Sequence, residues 1–113
     1  MLMHTSTEMT RNEKVVTAAV TQNGLSLCHA SGELRNIEPI VTTAVTQDGR
    51  ALDFASDGLK GNERVVLVAV RQNGLALEYA SEEMRDSKRV VYAARAQNDG
   101  ATEFASPRLK ALV

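Results

Sequence analysis

The side chains of this chain that could do chemistry are few and scattered. Two histidines, His4 and His29, and the single Cys28 could begin a zinc site. Zinc sites normally use three or four ligands, so this set is incomplete. The positions aligned with these histidines elsewhere in the chain hold aromatic residues: Phe54, Tyr79 and Phe104. We therefore favour a packing role for the histidines and predict neither a metal site nor a cofactor.

The chain contains none of the short motifs that would suggest an enzyme. It has no phosphate-binding loop or paired catalytic carboxylates, and Ser26 in QNGLSL lacks the Gly-x-Ser-x-Gly frame of a hydrolase nucleophile. The carboxylates of Glu13, Glu38 and Glu63 recur near predicted helix starts, where negative charge favours the helix dipole. We therefore predict no catalytic residue and no enzyme activity.

Length, composition and charge fit one globular domain over residues 1–113. Of these residues 43% are hydrophobic and 24% are charged, and the formal net charge is −1. A nucleic-acid binder usually carries a basic excess, so this balance counts against a nucleic-acid partner. No apolar run reaches the roughly 18 residues of a membrane span. With a single cysteine, we expect a soluble cytoplasmic protein, and delivery into a host cell stays open.

A repeat of 25 residues organises the whole chain. Its rows are TRNEKVVTAAVTQNGLSLCHASGEL (10–34), RNIEPIVTTAVTQDGRALDFASDGL (35–59), KGNERVVLVAVRQNGLALEYASEEM (60–84) and RDSKRVVYAARAQNDGATEFASPRL (85–109). Residues 2–9 fit the last positions of a row as a half-repeat, and residues 110–113 form a tail. A fixed period of about 20–50 residues is typical of solenoids. We predict about four and a half copies of one unit.

The first half of each row predicts an α-helix. Its apolar residues fall at i, i+1, i+4 and i+5, which is one helical face, as in Val15, Val16, Ala19 and Val20. The residues expected to cap the helix starts are Asn12, Asn62 and Ser87. The pairs Asn23-Gly24, Asp48-Gly49 and Asn73-Gly74 are expected to end the helices, with glycine in the left-handed conformation.

The second half of each row predicts a short helix followed by a turn. Apolar residues at i, i+3 and i+7, such as Leu77, Ala80 and Met84, give a helical stripe, although a strand over Leu75–Tyr79 is not excluded. The last row is more polar, with Asp99 at the glycine position and Arg95 and Thr102 at apolar positions. We expect it to cap the array. The predicted fold is an all-α, short right-handed-type α-solenoid of helix–turn–helix repeats.

The row pattern resembles a known family. Residues 62–86, NERVVLVAVRQNGLALEYASEEMRD, combine a Val-Val pair, Ala-Val, Gln-Asn-Gly, Leu-Ala-Leu and aromatic-Ala-Ser. This pattern resembles the repeat of domain of unknown function 4116. The resemblance implies tandem helical repeats, often within larger bacterial proteins, including those of intracellular pathogens. It supplies no catalytic residues.

Two sets of positions are candidate functional or structural sites. One is a structural ladder of polar residues repeated in register, whose amides would bond to the next repeat's backbone or to a neighbouring serine: Gln22, Gln47, Gln72, Gln97, Ser31, Ser56, Ser81 and Ser106. The other is a protein-binding face opposite the apolar stripe, rich in the Tyr and Arg that favour binding hot spots: Arg64, Leu67, Arg71, Arg89 and Tyr92. A merely solvated face is the competing interpretation.

These observations favour a non-enzymatic helical-repeat scaffold that binds another protein. The first alternative is an array that associates with itself through the repeat ends, where Leu2 and Met9 lack a full preceding layer. The second is an RNA-binding solenoid that reads single strands with its glutamine row. Near-neutral charge and few aromatic residues count against the second alternative.

Overall fold

The computed structural model describes residues 2–112, and it describes side chains from Asn12 to Leu112. This part of the chain is all-helical and contains no strand, which confirms the all-α part of the predicted fold. Its α-helices are α1 (Leu2–Gln22), α2 (Glu38–Gln47), α3 (Asp57–Lys60), α4 (Glu63–Gln72), α5 (Glu82–Arg85), α6 (Lys88–Gln97) and α7 (Pro107–Lys110). Its 3-10 helices are η1 (Gly24–His29), η2 (Leu34–Asn36), η3 (Gly49–Phe54), η4 (Gly74–Tyr79) and η5 (Asp99–Phe104).

The same order of elements recurs along the chain. The helices α2, α4 and α6 have 10 residues each. They begin at residues 38, 63 and 88, which are 25 residues apart. We call the elements α1, η1 and η2 unit 1, and α2, η3 and α3 unit 2. Likewise, α4, η4 and α5 are unit 3, and α6, η5 and α7 are unit 4.

Local hydrogen bonds explain where the long helices begin and end. The Asn62 side chain accepts from the backbone N–H groups of Arg64 and Val65 at the start of α4. Each long helix ends where an Asn or Asp adopts an extended conformation, as at Asp48 with φ −153° and ψ 109°. The Asp48 carboxylate then accepts from the N–H of Arg50, 3.0 Å away, and so starts the following 3-10 helix.

The glycine conformation predicted at these helix ends is wrong. No residue in the described part of the chain has a positive φ. The residue that breaks each helix is the extended Asn or Asp, which both ends the α-helix and caps the 3-10 helix. The segment Gly74–Tyr79, for which a strand was an alternative, is likewise a 3-10 helix.

The N-terminal half-repeat is also not a separate helix. Helix α1 runs without a break from Leu2 to Gln22, so Asn12 lies within it and does not cap its start. No glycine or proline interrupts this stretch, and the backbone therefore continues as one helix. The predictions above also concern His4, Leu2 and Met9. The side chains of these three residues are outside the part that the structure describes.

The units pack side by side through aliphatic side chains, mainly alanine, valine and leucine. Helix α1 contacts α2, α2 contacts α4 and α4 contacts α6, and the 3-10 helices η1, η3, η4 and η5 contact one another in the same order. The largest fully buried side chains are valines and leucines: Val20, Leu27, Val41, Val45, Leu52, Val65, Val66, Val70, Leu77, Val90, Val91 and Leu109. The described chain extends over 54 × 25 × 17 Å. Within it, no helix combines the length and apolar character needed to cross a membrane.

Candidate protein-binding surface and the contacts between units

The glycine after each long helix lies against the backbone of the next unit. A Cβ atom added at Gly49 would stand 2.5 Å from the carbonyl oxygen of Ala69 in α4. At Gly24 and Gly74 the same atom would meet the carbonyl oxygens of Ala44 and Ala94 even more closely. Any larger residue would therefore force the two units apart. Close approach between units, rather than backbone conformation, requires glycine here.

The glutamine row bonds to the same glycines. The side-chain oxygen of Gln72 accepts from the N–H of Gly49 at 2.6 Å, and that of Gln97 accepts from the N–H of Gly74. The backbone partner therefore lies in the preceding unit. The sequence had suggested a partner in the following unit. Gln22 and Gln47 are exposed. Each bond gives a partner to the N–H group of a buried glycine. Without the bond, this N–H would be buried with no hydrogen-bond acceptor.

The serine row joins the short helices of successive units and does not bond to the glutamines. The Ser56 N–H donates to the Arg35 carbonyl at 3.0 Å, and Ser81 and Ser106 donate in the same way to Lys60 and Arg85. The serine hydroxyl oxygens also accept from the N–H three residues later: the pairs are Ser31–Leu34, Ser56–Leu59, Ser81–Met84 and Ser106–Leu109. Ser56, Ser81 and Ser106 are therefore helix caps and also links between units.

Two arginines of the predicted binding face form ion pairs between units. Arg64 lies 3.3 Å from Glu38, and Arg89 lies 3.2 Å from Glu63. Their side chains are 80% and 74% exposed, so these pairs contribute little to stability and leave much of each guanidinium accessible. Arg71 is also exposed.

Leu67 does not belong to an exposed face, and this part of the prediction is wrong. Only 8% of Leu67 is accessible, and it belongs to the hydrophobic core. It lies on α4, which is flanked by α2 on one side and α6 on the other, and neighbours on both sides leave little of the helix uncovered. Tyr92 occupies the aligned position on α6 and is 47% exposed.

Tyr92 forms part of an open groove at the unit 4 end of the molecule. The groove is lined by Tyr92, Arg95, Ala96 and Asp99. Tyr92 and Arg95 are three residues apart on α6 and so lie on one side of the helix, with Arg89 one turn earlier. We call Arg89, Tyr92, Arg95 and Asp99 the α6 surface. It combines an aromatic ring, two guanidinium groups and a carboxylate, which together can bind a peptide or protein surface.

Arg95 and Asp99 were not predicted as binding residues. The sequence did carry a signal for them, because both depart from the row pattern in the last row. That departure was assigned to a capping role alone. A polar cap and a binding surface use the same residue types, so the row pattern could not separate them.

The electrostatics of the described residues point to structural ion pairs. The hydrogen bond from the Arg108 guanidinium to Asp86, and secondarily the one from Ser106, lowers the pKa of the Asp86 carboxyl. Arg50 similarly lowers the pKa of Asp48. Burial raises the pKa of Tyr79, and the charge of Glu78 adds to this.

His29 and Cys28 are exposed, and no group of three potential metal ligands exists among the residues described.

One family model matches part of the chain. Residues 38–85 match the model of the family described as Domain of unknown function (DUF4116), which confirms the resemblance found in the sequence. This segment begins at the start of α2 and ends with α5, so it covers units 2 and 3. No curated protein and no solved structure matches the chain.

Proposed function

Because residues 38–85 match a family without an assigned function, we propose a function from the geometry: the chain is a non-enzymatic helical-repeat scaffold that binds another protein. The observation that carries this proposal is the α6 surface, where Tyr92 is 47% exposed beside Arg95 in one groove. Tyr and Arg are enriched among the residues that dominate binding energies at protein interfaces.

The proposal includes a finer architecture, a short α-solenoid built from the 25-residue rows. Its support is that long helix packs on long helix, and glycine on alanine carbonyl, at all three interfaces between units. The bond from glutamine to glycine N–H recurs at two of them. A stack of this kind displays one flank of each long helix along its length and offers an extended surface to a partner. The right-handed sense and the cytoplasmic location stay predictions from the sequence.

A capture experiment tests the α6 surface. The bait is the full chain, compared with a Tyr92→Ala variant and with Thr17→Ala, an exposed substitution at the aligned position of unit 1. Circular dichroism and thermal melting first establish that all three are equally folded. We expect quantitative mass spectrometry to find a protein that Tyr92→Ala captures at least about tenfold less well, whereas Thr17→Ala captures it normally.

Equal capture by all three baits would contradict the α6 surface as the binding site. An equal loss of capture with the Thr17→Ala bait would also contradict it, because the binding surface would then extend to unit 1. Capture of RNA with strong salt dependence would instead favour the RNA-binding alternative.

A further inference from the structure

One flank of α1 is uncovered at positions that are buried in every other unit. Val15 is 64% exposed, whereas the aligned Ile40, Val65 and Val90 are at most 3% exposed. Ala19 is exposed, and the aligned alanines are fully buried: Ala44, Ala69 and Ala94. We call Lys14, Val15, Ala19 and Gln22 the α1 face. In units 2 to 4 the corresponding face is covered by the preceding unit.

Three contacts define what covers this face in units 3 and 4, and the first of them also occurs in unit 2. A glycine of the preceding unit lies against the alanine carbonyl, and its N–H donates to the glutamine side chain, as Gly49 does to Gln72. A glutamate at the start of the preceding long helix pairs with an arginine, as Glu38 does with Arg64. Lys14 occupies that arginine position in α1 and is exposed.

We propose that the α1 face is a docking site for one further helical unit of the same pattern, with Glu at the start of its long helix and Gly after its end. The glycine would lie against the Ala19 carbonyl, its N–H would reach Gln22, and the glutamate would pair with Lys14. The argument is the continuity of this face with the three interfaces between units 1 to 4. It does not depend on the α6 surface, which lies on the opposite end of the stack.

A second native copy of this chain does not fit the α1 face when it docks head to tail, that is, through its unit 4. Unit 4 carries Asp99 where units 1 to 3 have glycine, so its side chain would collide with the Ala19 carbonyl. It also carries Lys88 where units 2 and 3 have glutamate, and Lys88 would face Lys14 with like charge. The occupant therefore has the chemistry of units 2 and 3.

The test supplies such a unit to the intact chain. A complete copy of residues 60–84 is added before Leu2 through a flexible Gly/Ser linker of about 20 residues, because α1 is one helix from Leu2 and residues 2–9 cannot complete the row. The readout is amide hydrogen exchange in residues 13–22. We expect exchange about tenfold or more slower than in the native chain, because a docked unit must open before these amides exchange.

The matched control carries Gly74→Ala within the added copy only. The extra Cβ removes the close approach, so the slower exchange should disappear. A parallel pair of chains uses a copy of residues 35–59 on the same linker, with and without Gly49→Ala, so that poor folding of one donor does not decide the result. Unchanged exchange with both glycine donors would overturn the proposal, and so would equal protection by the glycine and alanine donors.

Discussion

At the residue scale, the glycine that follows each long helix is constrained by its neighbour and not by its own dihedral angles. Its φ is negative, a value that any residue can adopt. A Cβ atom at Gly49 would nevertheless lie 2.5 Å from a backbone oxygen in the next unit. A backbone oxygen cannot move aside as a flexible side chain could. The cost of a larger residue at this position therefore falls on the interface between two units.

This reasoning predicts opposite results for two glycine substitutions. Gly49→Ala should destabilise the protein by about 1–3 kcal/mol through overpacking. Gly32→Ala is the matched control, because nothing lies within 4 Å of its added Cβ. It should leave stability unchanged or raise it by about 0.4–1 kcal/mol, since alanine restricts the unfolded chain. Urea unfolding of both variants measures the difference, and equal effects would refute the close-approach interpretation.

The sequence showed which positions require a particular residue, but it did not show the physical reason for the requirement. The recurrence of Gly24, Gly49 and Gly74 marked a required glycine, but two physical causes produce the same recurrence. Only the distance to the neighbouring carbonyl separates them. The burial of Leu67 was similarly hidden, because a leucine opposite the apolar stripe looks exposed until the flanking helices are in place.

At the scale of elements, the short helices are tied to the chain that precedes them. The Asp86 carboxylate accepts from the Ser106 hydroxyl at 2.6 Å and from the Arg108 guanidinium at 3.1 Å. It therefore connects the segment after α5 to the start of α7. These bonds favour the ionised carboxylate, which is why the pKa of Asp86 lies below its usual value of 3.8.

The lowered pKa of Asp86 predicts a loss of stability in acid. A carboxyl with a lower pKa in the folded state stabilises the fold above its unfolded pKa, and this contribution is lost as pH falls through the folded pKa. The melting temperature of the native chain should therefore fall more steeply below pH 4 than that of Asp86→Asn. Arg108→Gln removes the main cause of the shift and should also flatten the profile. Parallel profiles for all three proteins would contradict this assignment.

Helix periodicity was enough to predict most elements but not all of their types. The long helices follow from apolar spacing alone, because one face of each is buried. The 3-10 geometry of Gly74–Tyr79 does not, since a six-residue apolar segment fits several conformations. The continuity of α1 was also missed. The alignment of residues 2–9 with a row assumed the packing of a complete unit.

At the scale of the whole molecule, the two ends of the stack differ in chemistry. The α1 face exposes apolar Val15 and the acceptor Gln22. The unit 4 end exposes Arg95 and Asp99, which replace the valine and glycine that earlier units turn toward a neighbour. Burying that arginine and carboxylate against another unit without compensation would be unfavourable. One end therefore resembles an interior surface, and the other a solvent-facing one.

This asymmetry predicts that head-to-tail association can be switched on at unit 4. The variant Lys88→Glu/Arg95→Val/Asp99→Gly restores the charge and shape that interior units present to the next one. Its mass in sedimentation equilibrium should rise with concentration. The control Lys88→Glu/Arg95→Val/Asp99→Ala keeps a Cβ at the critical position and should associate far more weakly. Association of the control as strong as that of the glycine variant would contradict the role of the glycine.

The contact between Gly49 and Ala69 also constrains how such a chain could lengthen by gene duplication. A duplicated copy of residues 35–59 or 60–84 would bring its own glycine and could be inserted between existing units. A duplicated copy of residues 85–109 would place Asp99 inside the stack, against a backbone carbonyl. Copies of rows that carry the glycine are therefore compatible with close packing between units, whereas a copy of residues 85–109 would weaken the contact to the unit that follows it.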